Sequence, residues 1–293
     1  MGGRPPSSGA VSGCLSEASE MPIGPDAQTS SPPSALAVVI PARDEAAMIE
    51  SCLRSVARSL ALTGLPAGVV VVDDRSRDDT AARATDAGRR FGLDLVVVQP
   101  HARTIGAVRH RGALAAVDTF GLDGNAWLLS TDADTLVPES WAPDYVHRAR
   151  LGLDAVAGVV DLRTDVDVPT FLHDWRRGYR RTLSVDDHPH VHAANLGVRV
   201  WPYMTCGGFP PVDRAEDVAL WCRLRDIGAR VVADPRLVVD TSGRIDARVA
   251  RGFGAAIHRL HALDALDTMA SLDIRTSLDA RTSLDARTSL DAS

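Results

Sequence analysis

Acidic side chains follow three of the strands that the sequence predicts, each at the point where the strand ends. In chain order they are Glu45 after the apolar run 37–40, Asp73 and Asp74 after 69–72, and Asp132 and Asp134 after 126–129. In open α/β sheets, ligands bind beyond the carboxyl ends of the strands. Each carboxylate alone could cap a helix or form a turn, but clustered carboxylates repel one another unless a cation or ligand offsets their charge. The set therefore predicts a site for a cation or a polar ligand.

The sharpest local motif is Asp132-Ala133-Asp134. Carboxylates two residues apart on a strand share a face but lie about 6.6 Å apart along it. Mg²⁺ takes oxygen ligands at about 2.0–2.1 Å, so both side chains reach one ion only if the chain turns there or one of them binds another group. A hard cation that bridges to a diphosphate suits oxygen ligands. The motif alone is weak, because Asp-x-Asp often occurs by chance.

Strands and helices alternate through the first half of the chain. Strands are predicted at 37–40, 69–72, 93–98 and 126–129, and helices at 44–60, from Asp78 or Asp79 to about 91, and at 105–117. This alternation indicates an α/β fold with a mostly parallel central sheet and helices on both faces. In the less regular second half, strands are predicted at 154–160, 192–200 and 230–233, and helices at 171–183 and 216–227.

Two low-complexity segments flank the predicted fold. Residues 1–34 are rich in Gly, Pro and Ser and lack an apolar period, which predicts a disordered N-terminal segment, and Met21 could be the true start. Residues 263–293 end in a hexapeptide repeat, Ser-Leu-Asp-Ala-Arg-Thr, which predicts a disordered low-complexity tail. A six-residue period can also indicate a β-helix, but the copies here are too few.

The composition restricts the class of protein. The chain has 293 residues, a net charge of −6 and no lysine, which argues against nucleic acid as a partner. No apolar run approaches the roughly 18–20 residues that span a bilayer, and no secretory signal is recognised. The four cysteines lack regular spacing, so we expect reduced thiols. These features predict a cytoplasmic protein whose membrane contact, if any, is peripheral.

Five short motifs follow one another along the chain. They are Pro41-Ala42-Arg43-Asp44-Glu45, Val71-Val72-Asp73-Asp74-Arg75-Ser76, Thr131-Asp132-Ala133-Asp134, Gly207-Gly208-Phe209 and Glu216-Asp217. In this order and spacing, over about residues 36–241, they resemble the family 2 glycosyltransferases of GT-A fold. The chain departs from the usual pattern at Asp44, where Asn is common, and at Arg75, where Gly is common. These departures leave the nucleotide preference open.

The resemblance implies one Rossmann-type domain with two halves. Residues 35–150 would bind a nucleotide-diphospho-sugar donor, and residues 151–262 would bind the acceptor. The positions that the resemblance assigns to the nucleoside and its surroundings are Pro41, Ala42, Glu45, and Asp73 or Asp74.

The resemblance also implies a divalent metal, Mg²⁺ or Mn²⁺. Asp134 would bind the metal, and Asp132 would contact either the metal or the ribose. Arg109 would approach the donor with its basic side chain, or it is a solvated helix arginine. A third metal ligand sometimes occurs in this fold at the position of His258 or His261.

Helix geometry separates the roles of Glu216 and Asp217, the acidic pair that the resemblance places near the acceptor. Neighbours on a helix point about 100° apart, so the two carboxylates cannot face one spot equally. Asp217 lies three residues before Leu220 and four before Trp221, so it heads the inward apolar stripe, where a carboxylate must face a polar cavity or be neutralised. We predict that Asp217 is the general base and that Glu216 is secondary; a helix cap is the alternative for Asp217.

The implied reaction is metal-dependent transfer of a sugar to an acceptor hydroxyl, with inversion inherited from the resemblance. Two alternatives stay open: a catalytically inactive nucleotide-sugar-binding domain, and a nucleotidyltransferase that makes a sugar nucleotide. The latter usually carries a Gly-rich basic loop after the first strand, whereas this chain has Arg43-Asp44-Glu45 there. The acceptor, whether a sugar, a lipid or a small molecule, is not identified.

Alternating histidines in the second half suggest two further hypotheses. His188, His190 and His192 would share one face of a strand and could bind a metal, although a solvated acceptor loop is simpler because Pro189 interrupts them. His192 and Asn195 either contact the acceptor or a phosphate, or have a structural role.

Overall fold

A computed structural model describes residues 32–163, 170–184 and 187–242. The chain divides into two compact units: Met1–Asp165 with Gly178–Ser242, and Val166–Arg177 with Gly243–Ser293. Of the second unit, the structure describes only residues 170–177. The predicted N-terminal segment up to residue 31, the predicted tail at 263–293, and both His258 and His261 lie outside the described residues.

The described residues form eight strands, seven α-helices and a 3₁₀ turn. The strands are β1 Leu36–Ala42, β2 Ala67–Asp73, β3 Asp94–Val98, β4 Trp127–Ser130, β5 Thr135–Leu136, β6 Ala155–Leu162, β7 Leu196–Arg199 and β8 Val231–Thr241. The helices are α1 Ile49–Ala61, α2 Thr80–Phe91, α3 Ile105–Phe120, α4 Trp141–Arg150, α5 Thr170–Arg181, α6 Val200–Thr205 and α7 Glu216–Asp226, and the 3₁₀ turn is Ala193–Asn195.

The strands form one sheet in the order β3-β2-β1-β4-β7-β6-β8-β5. Strands β1 to β4 are parallel to one another, and β6 is parallel to β8, whereas β7 is antiparallel to both β4 and β6, and β5 is antiparallel to β8. The predicted fold class, an α/β fold with a mostly parallel central sheet, is confirmed. The sequence missed β5, α4 and α6, which are too short or too polar to show a clear apolar period.

Two apolar layers cover the sheet, one on each face. Along β1, Val38 and Ile40 pack in the layer with α1, α2 and α4, whereas Val39 packs in the layer with α3, α6 and α7. A strand buried on both faces reads as a continuous apolar run, which is why β1 and β2 were predictable. A Cβ at Gly112 would lie 2.5 Å from the side chains of both Val39 and Val72, so glycine lets α3 pack tightly on the sheet.

Two predicted boundaries moved for identifiable reasons. Helix α1 begins at Ile49 and not at residue 44, because Asp44 has a positive φ of 53° that no helix accepts. Strand β8 continues to Thr241 and not to residue 233, because the turn residues around Pro235 fall in an irregularity opposite Gly158, after which pairing with β6 resumes.

The described part of the chain contains no helix that is long and apolar enough to cross a membrane. Cys52 and Cys206 are free thiols, as expected.

Candidate functional site

The ends of several strands meet at one edge of the sheet. Ala42 at the end of β1 pairs with Asp73 at the end of β2, and Ser130 at the end of β4 pairs with Leu196 at the start of β7. The loops after β1, β2 and β4 and the segment before β7 therefore share this edge. Among the described residues, the positions that the resemblance assigns to donor or metal lie there, apart from Arg109, which is on α3.

The loops after β1 and β2 hold each other through hydrogen bonds between side chains and main chain. The N–H of Asp44 donates to Ser76 Oγ at 3.0 Å, and Asp44 Oδ1 accepts the N–H of Arg77 at 2.7 Å. The N–H of Glu45 donates to Thr80 Oγ1 at 2.8 Å. Asp44 and Arg75 both have positive φ, 53° and 61°, which Asp and Asn tolerate better than Arg. Glycine, common at position 75 in the resemblance, would fit without strain.

Asp73 and Asp74 have different surroundings. Asp73 is buried, its Oδ1 accepts the N–H of Ser76 at 3.0 Å, and its Oδ2 accepts Gln99 Nε2 at 2.6 Å. Asp74 pairs instead with Arg75, whose Nε lies 2.9 Å from Asp74 Oδ1. The guanidinium of Arg43 forms a second, longer ion pair with Asp74. Asp73 thus fixes the loop, with lone pairs left for a ligand. Sequence reasoning missed Gln99, although its position directly after β3 was a usable signal.

The chain turns at Asp132–Asp134, as the metal hypothesis requires. The N–H of Thr135 donates to the Asp132 carbonyl at 3.1 Å, and beneath the turn the buried Cys52 thiol donates to the same carbonyl at 3.4 Å. Asp134 Oδ1 accepts Thr241 Oγ1 at 3.3 Å. Within the described ranges, no three His, Cys, Asp or Glu side chains form a group that could hold a metal. The two aspartates suit Mg²⁺ or Mn²⁺ only if water and phosphate oxygens supply the other ligands.

Arg109 joins the Asp132–Asp134 turn to the start of α7. Its guanidinium is buried, with Nη2 2.6 Å from Asp132 Oδ1, Nη1 3.1 Å from Ser130 Oγ, and Nε 3.3 Å from Glu216 Oε1. Burial on its own lowers the pKa of Arg109, but the carboxylates of Asp132 and Glu216 raise it above its usual value. The alternative of a solvated helix arginine is therefore wrong. Ser130, the last residue of its strand, was not predicted.

Glu216 and Asp217 open α7 and have unlike partners. Glu216 is buried against Arg109, whereas Asp217 Oδ2 accepts the N–H of Ala193 at 3.1 Å and its Oδ1 accepts the N–H of Val218 at 2.8 Å. Burial raises the pKa of Asp217 although these main-chain bonds oppose it. Burial likewise raises the pKa of Glu216, against the effect of Arg109. Asp217 thus bonds a first-turn amide, as a cap would, and also reaches the segment before β7.

The start of α7 depends on a glycine in α3. The N–H of Gly106 donates to the Val212 carbonyl at 3.2 Å, and a Cβ at Gly106 would lie 1.9 Å from the Pro210 oxygen and 3.1 Å from Glu216 Cβ. Any larger residue would push the loop before α7 away from α3. The close approach brings Glu216 within reach of Arg109.

Asn195 has a structural role, so the hypothesis that it contacts acceptor or phosphate is wrong. It is fully buried, and its Oδ1 accepts Trp141 Nε1 and Tyr145 Oη, each at 2.9 Å. Its Nδ2 donates to the carbonyls of Val159 and Leu237, also at 2.9 Å. All four hydrogen bonds of the amide are satisfied inside the protein.

The alternating histidines form a stack and not a metal-binding group among the described residues. His190 stacks on Tyr179 with ring centroids 4.2 Å apart, and His192 Nε2 lies 3.1 Å from Tyr179 Oη. His188 is buried, with its Nε2 3.2 Å from the Ala157 carbonyl. Burial, followed by neighbouring histidines, lowers the pKa of His190 and of His192 to about 4. The rings are therefore neutral at neutral pH.

Comparisons with known proteins identify the family of the chain. Residues 37–197 match the model of glycosyl transferase family 2, and the chain belongs to that family. An undecaprenyl-phosphate 4-deoxy-4-formamido-L-arabinose transferase from Pseudomonas paraeruginosa is 31% identical over 150 residues, which are 51% of this chain and 40% of that protein. This chain therefore spans less than half the length of that relative.

Solved structures share the fold. TarS residues 1–349 from S. aureus, in complex with UDP-GlcNAc, is similar with a TM-score of 0.51 and 18% identity over 72% of this chain and 59% of that chain. The mannosyltransferase PcManGT from Pyrobaculum calidifontis, in complex with GDP-Man and Mn²⁺, is similar with a TM-score of 0.51 and 21% identity over 78% of this chain and 61% of that chain. At these identities the likeness establishes the GT-A fold.

Proposed function

We propose that this protein transfers a sugar from a nucleotide-diphospho-sugar to an acceptor hydroxyl, with help from Mg²⁺ or Mn²⁺ and with inversion. The observation that carries the proposal is the buried Arg109, which joins the Asp132–Asp134 turn to Glu216 at the sheet edge where α/β proteins bind ligands. Family membership and the donors bound by TarS and PcManGT support it.

On the donor side, the loops after β1 and β2 hold the nucleoside. The candidates are Pro41, Ala42, Glu45, Asp73 and Asp74. Asp134, with Asp132 as a metal or ribose ligand, holds the metal, which when bound acts as a Lewis acid toward the leaving diphosphate. Arg109 keeps a buried positive charge beside Asp132, where negative charge develops as the diphosphate departs.

On the acceptor side, Asp217 is the general base. The acceptor oxygen bonds to the anomeric carbon while the bond from that carbon to the diphosphate breaks, and Asp217 receives the acceptor proton. Burial raises the pKa of Asp217, which makes it a better base than an exposed aspartate. Glu216 is held by Arg109, and its secondary role is to position that side chain.

The rival functions differ from this one in testable ways. A catalytically inactive nucleotide-sugar-binding domain would bind donors but not turn them over, although the carboxylates that chemistry needs are present. A nucleotidyltransferase would bind a nucleoside triphosphate, but the loop after β1 lacks the glycines that cradle one. The proposal places the protein in the cytoplasm, with peripheral membrane contact as an option if its acceptor is a lipid.

Thermal unfolding with a panel of nucleotide-sugars, each with and without Mn²⁺ and Mg²⁺, tests the proposal. A donor at about 100 times its dissociation constant adds roughly 2.7 kcal/mol to the free energy of unfolding, and the gain should require the metal. Asp134→Ala should remove the metal-dependent part without loss of fold, because Asp134 lies at a turn and not in the core. Asp118→Ala, an exposed aspartate on α3, is the matched control. Metal-dependent stabilisation that survives Asp134→Ala would overturn the metal assignment.

A further inference from the structure

A cavity of about 340 Å³ lies beyond the Asp132–Asp134 turn, between strand β8 and the start of helix α4. Its walls come from the residues after β5, the first turn of α4 and the second half of β8. The volume is at the lower end of the range of small-molecule sites, roughly 300–1,000 Å³. None of the residues assigned to donor, metal or base lines it.

The cavity exists because β8 is only partly paired. Along one edge β8 pairs with β6, but along the other it pairs with β5 only at Asp240 and Thr241. Among the described residues, no strand covers that edge between Arg236 and Val239, and Arg236, Leu237 and Val238 line the cavity. The Arg236 N–H already donates to Asp234 Oδ1 and the Leu237 carbonyl accepts Asn195 Nδ2, so the cavity offers a polar ligand mainly the side chains of its rim.

The walls combine an apolar floor with a charged rim. Leu136, Pro138 and Val238 supply the accessible apolar surface, and Val137, Trp141 and Leu237 are buried behind it. Asp144, Arg236 and Asp240 supply the rim, and their charges sum to one negative unit. This rim opposes an anion such as phosphate, whereas a ring with an apolar face and several hydroxyls can pack on the apolar surface and hydrogen-bond to the carboxylates and the guanidinium together.

Existing contacts hold the rim in place. The Arg236 guanidinium donates to Asp234 Oδ1 at 2.9 Å, and Arg148 Nη1 lies 3.3 Å from Asp144 Oδ1. Arg148 also binds the buried Asp234, so Asp144 and Arg236 belong to one ion-pair network. Rim groups held in this way lose little conformational freedom when a ligand binds.

The cavity adjoins the proposed metal turn. Leu136 lines it, and the preceding Thr135 bonds through its hydroxyl to Thr241, which in turn bonds Asp134. With a rise of about 3.4 Å per residue, Leu136 lies roughly 7 Å along the chain from Asp134. We infer that the cavity is a carbohydrate subsite that binds one neutral, hexose-sized ring. Its role, to hold a distal sugar unit of the acceptor, rests on the proposed function, but binding of the sugar does not.

The test measures sugar binding without a donor. The methyl glycosides of glucose, mannose and N-acetylglucosamine are titrated into the full chain and followed by calorimetry and saturation-transfer NMR. Ser140→Tyr places a ring at the cavity mouth, and it removes no cap, since the Ser140 side chain makes no capping hydrogen bond. Leu151→Tyr, at the exposed far end of the same helix, is the matched control. Val238→Phe blocks the cavity from β8 and replaces Ser140→Tyr if that variant does not fold.

At least one glycoside should bind, and blocking the cavity should weaken its binding by at least about tenfold, or about 1.4 kcal/mol, while Leu151→Tyr changes nothing. Failure of all three glycosides to bind, or equal binding by the blocked variants, overturns the subsite. Binding of the panel of nucleotide-sugars is measured on the same samples. If a glycoside binds at the cavity but no nucleotide-sugar binds anywhere, the subsite stands and the proposed function fails.

Discussion

The proposed donor half and the proposed acceptor half of the site are built by different means. In the donor half, carboxylates and hydroxyls bond main-chain amides of a neighbouring loop, as Asp44 does with Arg77 and Asp73 with Ser76. In the acceptor half, geometry depends on buried polar side chains far apart in sequence, above all Asn195 and the pair of Arg109 with Glu216. The donor half therefore relies on partly exposed bonds between neighbouring loops and tolerates change, whereas a single substitution can disorganise the buried network of the acceptor half.

The largest expected effect is on turnover and concerns Asp217. Asp217→Asn keeps the shape and the acceptor oxygen for the N–H of Ala193 but removes the base. Turnover should fall by about 10²–10⁴-fold, with donor affinity unchanged. Single-turnover kinetics and donor titration check this. Glu216→Gln should cost less in turnover, and near-normal turnover in Asp217→Asn would move the base elsewhere.

The same variant carries a prediction about pH. Because burial raises the pKa of Asp217 above its unfolded value, the ionised carboxylate destabilises the fold at neutral pH. That cost disappears as the pH falls through the folded-state pKa, so the wild type should gain stability there relative to Asp217→Asn. The melting temperature of Asp217→Asn at pH 7 should not fall below that of the wild type. A clear fall would mean that the residue acts mainly as a cap.

The next largest effect is on stability and compares one residue from each half. Asn195→Ala leaves four buried partners without a hydrogen bond, at about 1–3 kcal/mol for each unsatisfied group, so the free energy of unfolding should fall by at least about 3 kcal/mol. Ser76→Ala removes one partly exposed bond to Asp44 and should cost about 0.5–1.5 kcal/mol. Urea unfolding of both variants measures the difference, and equal losses would erase the contrast between the halves.

The sequence predicted the donor half better than the acceptor half, because buried strands leave a pattern in the sequence and contacts between distant side chains do not. Strands buried on both faces are continuous apolar runs, so β1, β2 and β4 and the acidic residues at their ends were recognisable. Whether those residues bind donor and metal stays a prediction. The sequence offered a structural role for Asn195 as one alternative but could not identify its partners, because Trp141 and Leu237 are more than forty residues away in sequence. The bond from Thr241 to Asp134 left no local signal either.

The smallest expected effect concerns backbone strain at the entrance to α7. Ala215 has a φ of 53°, in the left-handed region that costs an L-residue about 1–2 kcal/mol. Ala215→Gly relieves the strain but adds freedom to the unfolded chain, so we expect a net gain of up to about 1 kcal/mol. Ala219→Gly, inside the same helix, should instead lose about 1 kcal/mol. Thermal unfolding compares them, and a loss in Ala215→Gly would show that the alanine side chain contributes contacts.

The position of Cys52 allows the local opening of the Asp132–Asp134 turn to be measured by kinetics. Its thiol is fully buried, burial and nearby carboxylates raise its pKa, and it donates to the Asp132 carbonyl. Such a thiol reacts with an alkylating reagent only while the turn is open, so its labelling rate reports the frequency of local opening. The half-buried Cys206 provides an internal reference within the same sample. A ligand that clamps the turn would slow the labelling of Cys52 and leave that of Cys206 unaltered.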